Sequence, residues 1–270
     1  MPKARSNHFC FEVIFEAVPT FFETGKLRIA AYLYKHAFAV YKILYYRFKR
    51  QKDAFNLMFI KATLKEGDAA IDIGANIGFY TEYMALCCGN SGTVWAFEPD
   101  AVNFKHLKKA TTHLKQVTCK QQAVASSNGS LTLYASDLLN IDHRTYKPAK
   151  YAHSYSVQKI ALDEMLKHTP VRLIKMDIQG FEMEALTGMR NILMQPDVIL
   201  ISELWPYGLN EAGSSAVAMF QLLKNMGFEI YTEKDGKLVV LNVEEVQKIK
   251  VDFMVDTNII AARTLPPQYN

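Results

Sequence analysis

Residues 71–80 read IDIGANIGFY, and TVWAFEP follows at 93–99. An apolar strand runs into Asp72, then Gly74, Asn76 and Gly78, and then a helical pattern. About twenty residues past Gly78 a second strand ends in the acid Glu98. A strand, a glycine-containing turn, a helix and a second strand ending in a carboxylate form half of a nucleoside-binding α/β unit. Glycine at the turn lets backbone pass close to a ligand where a Cβ would block it. The carboxylate of Glu98 would accept hydrogen bonds from two ribose hydroxyls.

The spacing narrows the ligand. A dinucleotide fingerprint is G-x-G-x-x-G, its middle glycine making room for a pyrophosphate at the helix N-terminus. Here the run is D-x-G-x-N-x-G. Asn76 stands where bulk hinders a pyrophosphate, and Asp72 before the turn repels phosphate but suits a cationic amino group. S-adenosylmethionine offers a ribose, an ammonium and a sulfonium without phosphate, and is the ligand this pattern favours. A nicotinamide or flavin site, and a ligand-free turn, are the alternatives.

The chain has 270 residues, half of them hydrophobic, enough for one large α/β domain with an extension. Its net charge of +4 is unevenly spread. Residues 1–66 hold 12 Lys/Arg against 5 Asp/Glu, and the remainder hold 19 against 22. The basic character belongs to the N-terminal arm, which suits an anionic surface or is simply a solvated helix face. Cys10, Cys87, Cys88 and Cys119 make no C-x-x-C pair and have no histidine cluster beside them, so no metal site is expected. They suit a reducing compartment, and the first residues lack a signal-peptide pattern. A cytoplasmic protein is therefore expected. The long apolar run 29–48 is interrupted by Lys35, His36 and Lys42, which speaks against a membrane span.

Apolar residues recur at helical spacing over 12–60, with Pro19 and Gly25 as expected breaks. Beyond Gly67, strands and helices alternate. Strands are expected at 69–73, 93–97, 117–124, 131–134, 157–162, 171–176, 198–203 and 229–231. Helices are expected at 79–88, 102–114, 163–167, 182–194 and 215–226, and β-like stretches remain at 237–241 and 258–262. Such alternation implies a mainly parallel sheet with helices on both faces. Gly74, Glu98, Ala123, Asp177 and Glu203 all fall at expected strand C-termini, where ligands bind in such sheets.

Residues 171–186 read VRLIKMDIQGFEMEAL and deliver Asp177 at a strand end, with Glu182 opening a helix. Asp177 is a candidate for orienting the methionine ammonium or an acceptor hydroxyl. Glu203, after VILIS, and His153, between Tyr151 and Tyr155, are candidate bases. Asp142 and His143 lack a third metal ligand at suitable spacing.

The ordered set GDAAIDIGANIGFYT (67–81), FEPD (97–100), the Ala123 segment, V-x-x-x-x-LD (157–163), KMDIQGFE (175–182) and ISE (201–203) resembles the FkbM family of S-adenosylmethionine-dependent methyltransferases. The resemblance runs from about Asp53 to Ala262. Gln179 departs from it, standing where family members carry an acid. The resemblance implies a Rossmann-like class I fold, an α/β architecture with a seven-stranded sheet and a reversed strand from 258–262. It implies a methyltransferase domain over 61–265 behind a helical extension over 1–60, and methyl transfer to a hydroxyl of a glycan or small metabolite. Asp72, Gly74, Asn76 and Gly78 would hold the methionine part, joined by Asp177. Glu98, with Pro99 beside it, would hold the ribose, and Ala123 would meet the adenine through its backbone. Asp177, Glu203 and His153 are the candidate catalytic residues. No N-P-P-Y-like tetrad follows the central strand, and nucleic acid is not the expected acceptor. Alternatives are a nicotinamide-dependent oxidoreductase and a non-catalytic, membrane-associated binding protein that touches lipid through its basic arm.

The D-x-G-x-N-x-G turn followed by Glu98 predicts binding of S-adenosylhomocysteine in preference to NAD. Isothermal calorimetry with both ligands checks this. NAD binding without S-adenosylhomocysteine binding is the contrary result.

Overall fold

The computed structural model describes residues 21–135, 143–148, 151–253 and 255–269, with the side chains of 21–27 outside that description. Three helices come first: α1 (Phe21–His36), α2 (Phe38–Lys52) and α3 (Ala54–Thr63). The expected break at Gly25 does not occur, because α1 runs through it. The helices are instead interrupted at Ala37 and Asp53. Pro19, Cys10 and Asp142 lie outside the described residues.

Strict alternation follows in β1 (Ala69–Ile73), α4 (Phe79–Cys88), β2 (Thr93–Phe97), α5 (Ala101–Thr111) and β3 (Val117–Lys120). The single strand expected over 117–124 is split. After Lys120 the chain leaves the main sheet through Gln121 and Gln122, and β4 (Ala123–Val124) pairs elsewhere. With β5 (Gly129–Ala135) and β6 (His153–Ile160) it forms a separate three-stranded sheet in the order β4-β6-β5. Next come α6 (Leu162–Met165), β7 (Leu173–Met176), α7 (Glu182–Thr187), α8 (Arg190–Leu193), β8 (Ile199–Leu204), α9 (Pro206–Glu211) and α10 (Ala216–Asn225). The helix expected over 182–194 breaks at Gly188, where a Cβ would lie 1.8 Å from the Ala125 carbonyl oxygen. The chain ends with β9 (Glu229–Lys234), β10 (Lys237–Val240), α11 (Val243–Lys248) and β11 (Thr257–Ala262).

The main sheet has eight strands in the order β10-β9-β11-β8-β7-β1-β2-β3. β11 runs antiparallel between β8 and β9, as expected for the 258–262 segment. The strand beyond the expected seven is β10. It folds back on β9 through Asp235 and Gly236, both at positive φ, the Asp-Gly signature of a tight hairpin. Alternate residues of the central strands enter different cores. Ile174 joins Ile71, Ile73 and Leu200 beneath the α7–α10 layer, whereas Leu173 joins Phe59, Met84 and Ile201 beneath α3 and α4. Burial on both faces is why these strands read as nearly continuous apolar runs.

The chain turns from β1 toward β2 on one side, while β7 lies on the other, so the strand order reverses at β1–β7. The loops leaving these two strands touch. The Asp177 amide donates to the Ile73 carbonyl at 3.0 Å. Gly74 has φ +78, and a Cβ there would lie 1.9 Å from the Asp177 carbonyl oxygen. Gly74→Ala therefore combines a backbone clash with left-handed strain. It is expected to cost roughly 3 kcal/mol or more, a fall of roughly 6–12 °C in Tm. A thermal scan of both proteins measures it.

Candidate functional site

The β1–β7 switch opens into a cleft of about 350 Å³. Its floor holds the residues that follow the parallel strands: Gly74 and Asn76 after β1, Glu98 and Pro99 after β2, Ala123 at β4, Asp177 and Gln179 after β7, and Glu203 within β8. Residues that are far apart in sequence thus line one wall.

One end of the cleft is built around Glu98. Its carboxylate is buried and accepts from the Asn76 amide at 2.8 Å and the Asp100 amide at 2.9 Å. Burial pushes its pKa up to about 8, with the two amides working against the rise and the charges of Asp100 and Asp72 adding to it. Asn76 takes up φ +49 to present its amide, a conformation asparagine tolerates better than most residues. Asp100 caps α5 by accepting from the Asn103 amide at 2.7 Å and also receives the Tyr155 hydroxyl. His143 stands 3.8 Å from the same carboxylate and lines the cleft.

The opposite end is a cluster of charges. Lys175 lies 3.2 Å from Asp177 and over the Tyr80 ring, while Lys49 of α2 lies over the same ring and pairs with Asp53. Burial works to raise the Asp177 pKa, but Lys175 and Lys49 overcome it and hold the carboxyl at about 2. Glu203 is driven the other way. Burial, then the charges of Asp177, Asp256 and Glu182, push it well above the usual carboxylate range. Gln179 Nε2 bridges the two acids, donating to Asp177 at 3.1 Å and to Glu203 at 3.0 Å. Gln179 has φ +56. Of the three non-glycine residues at positive φ among the described residues, two, Asn76 and Gln179, therefore lie in the cleft loops. Such strain concentrates where a site over-determines the backbone. Glu182 shapes this loop from beneath, accepting from the Gly180 amide at 3.2 Å.

Three of the residues singled out in the sequence do not reach the cleft wall. Asp72 is wholly buried under it, accepting from Thr81 at 2.6 Å, with Lys175 beside it in register. Gly78 is the N-cap of α4, facing Leu107. His153 is exposed on β6 and stacks on Tyr155. Conversely, Tyr45, Phe48, Lys49 and Lys52 of α2 line the cleft, as do Lys175, Gln179 and His143. Lys175 was detectable, since it precedes Asp177 by two and strand alternation puts both on one face. The α2 residues repeat at helical spacing, but nothing in the spacing says what they face.

Among the described residues, no group of His, Cys, Asp and Glu could hold a metal ion, and no helix is long and apolar enough to cross a membrane.

The residues present fit S-adenosylmethionine. The Gly74 backbone lines the cleft without a side chain, Glu98 offers a carboxylate that could accept from ribose hydroxyls, and the cleft is the size of a typical ligand pocket. Strand order reversing at a nucleoside-binding crevice, with one strand inverted between β8 and β9, defines the class I methyltransferase fold. The Methyltransferase FkbM domain matches residues 72–230, more than half of the chain. The chain belongs to the FkbM methyltransferase family. It is 26% identical over 155 residues to the hexuronic acid methyltransferase AglP of Haloferax volcanii, covering 56% of this chain and 61% of that protein. It is 28% identical over 188 residues to Methyltransferase 1 of Beauveria bassiana, covering 61% of this chain and 73% of that one. The chain thus spans less than two thirds of the first relative's length. The crystal structure of the FkbM methyltransferase of Methylobacillus flagellatus KT superposes with a TM-score of 0.47 at 15% identity, covering 74% of this chain and 47% of that one.

Ribose hydroxyls donating to Glu98 favour its ionised form, and the free cleft holds that group near pKa 8. Affinity for S-adenosylhomocysteine is therefore expected to rise with pH up to about 8 and to weaken below it. Each unit by which binding lowers this pKa is worth about 1.4 kcal/mol. Calorimetry across this range, with Glu98→Gln expected to flatten the slope, is the measurement.

Proposed function

We propose that this chain is an S-adenosylmethionine-dependent methyltransferase that acts on a hydroxyl oxygen of a glycan or other hydroxylated metabolite. The observation that carries this reading is the Gln179-bridged pair Asp177 and Glu203 at the acceptor end of the cleft. Methylating a hydroxyl requires a group that removes its proton, and a base is most effective when its pKa lies near the working pH. Glu203 is raised toward that range, whereas Asp177 is held ionised by Lys175 and Lys49.

In this mechanism Gly74, Asn76, Glu98, Pro99 and Ala123 hold the cofactor, and Asp177 orients its ammonium or the acceptor. S-adenosylmethionine, when bound, supplies an electrophilic methyl group. The cleft walls set the acceptor oxygen in line, a contribution of roughly 7–11 kcal/mol in favourable cases. Glu203 Oε takes the hydroxyl proton as the oxygen becomes an ether. His153, exposed on β6, takes no part. Asp72 contributes from beneath, where burial raises its pKa and Lys175 and the Thr81 hydroxyl work against the rise. Lys49 and Lys52 on the acceptor side favour an acidic sugar, in keeping with the hexuronic acid named for the Haloferax volcanii relative. Residues 61–265 belong to the methyl-transfer domain in this reading, and the helices over 21–60 cover it. The unpaired thiols of Cys87, Cys88 and Cys119 suit the cytoplasm.

The reading is tested by transfer of labelled methyl groups to panels of hexuronides, neutral glycosides and polyols. No transfer to any hydroxylated acceptor, with transfer to amines, would overturn it. On an active acceptor, kcat/KM is expected to rise with pH as Glu203 loses its proton. Glu203→Gln should lower kcat by about 10²–10⁴-fold and remove that limb, leaving S-adenosylhomocysteine affinity intact. Gln179→Ala removes a donor that favours the ionised acid, so the limb should move to higher pH.

A further inference from the structure

Helix α2 carries two faces of different character. Tyr45, Phe48, Lys49 and Lys52 follow one another at helical spacing and line the cleft. Val40, Ile43, Leu44 and Arg47 fall on another stripe, on the order of 130° around the helix at 3.6 residues per turn. That stripe faces solvent, with Val40 49%, Ile43 69% and Leu44 53% exposed. Helix α1 adds Ile29 at 61% and Tyr32 at 64%. Five large apolar side chains left in water on two adjoining helices are not explained by core packing.

The charges around them have one sign. Arg28, Lys35, Arg47 and Arg50 are exposed, and none has an ion-pair partner among the described residues. No Asp or Glu stands between Arg28 and Lys52. A protein partner has no general need of a single-sign rim, whereas an anionic lipid surface pairs an apolar interfacial layer with a negative headgroup layer. Arginine and lysine stems can lie along the first while their heads reach the second.

We propose that the outward face of α2, with the exposed residues of α1, docks on an anionic phospholipid surface. Ile43, Leu44 and Val40 enter the interfacial zone, and Arg47, Arg50, Lys35 and Arg28 meet headgroup phosphates. Because the opposite side of α2 walls the cleft, docking sets the acceptor entrance beside the bilayer. The lipid contact itself does not depend on which acceptor is methylated.

The test is co-sedimentation of the full chain with vesicles of phosphatidylcholine alone and of phosphatidylcholine mixed with phosphatidylglycerol. Binding is expected only to the mixed vesicles and should fall as salt rises. The double variant Ile43→Asp, Leu44→Asp and the separate variant Arg47→Glu should each lower partitioning by roughly tenfold or more. Both should keep S-adenosylhomocysteine affinity, since none of these side chains lines the cleft. The proposal is overturned if the unaltered chain stays in the supernatant with mixed vesicles, or if the variants sediment as it does. It is equally overturned if light scattering shows a dimer that the apolar substitutions dissolve, which would assign the face to a second copy.

Discussion

The rest of the site depends on the contact between the loops leaving β1 and β7. Two parallel neighbours whose connections depart in opposite directions would ordinarily leave a gap between their ends. Here the gap closes to van der Waals limits at its base, with Gly74 against the Asp177 carbonyl. That approach fixes where both loops go next. On one side the backbone rises through Asn76 and ties itself to Glu98. On the other it rises through Asp177 to Gln179, which ties itself to Glu203. The Glu98 end and the acid pair are therefore spaced by one shared constraint, and the two left-handed residues are the backbone cost of meeting it.

Electrostatics then divides acids of similar chemistry into different states. Asp72, Asp177 and Glu203 all belong to the ends or interiors of central strands. Asp72 lies buried under α4 with a threonine and a lysine, outside the cleft lining. Asp177 has two ammonium groups nearby that hold its pKa low, and its charge adds to burial in pushing the Glu203 pKa up. An acid in place of Gln179 would set three carboxylates together, whereas the amide donates to both neighbours at once.

Much of this was legible in the chain because the deciding signals are local. The strand-turn-helix at 69–88, the acid ending β2 and the apolar runs of β7 and β8 each fit within a short window, and so did the reversed β11. What the sequence could not show depends on contacts between distant segments. Val117–Val124 reads as one strand, and only the partner β6 pulls Ala123 and Val124 into a second sheet. Asp72 and Asp177 look alike as acids near strand ends. Pleat direction and the covering helix, both tertiary, decide which one reaches the cleft. His153 is a candidate base in the sequence on pH chemistry alone, and the loop geometry that puts His143 in the cleft has no periodic signature. The role of α2 was hidden for the same reason. Its two stripes are visible as spacing, but the spacing does not say which of them meets the strand ends and which faces solvent.

Helix α2 is fastened at intervals along its length. Lys42 pairs with Glu82 at 2.9 Å, and the Tyr80 hydroxyl reaches Asp53 at 2.8 Å where α2 ends. At its start Phe38 stacks on His106 of α5. Tyr45 and Phe48 project into the cleft between these fastenings. A cleft wall held at both ends is expected to shift as one packed element, on a slower timescale than a loose loop.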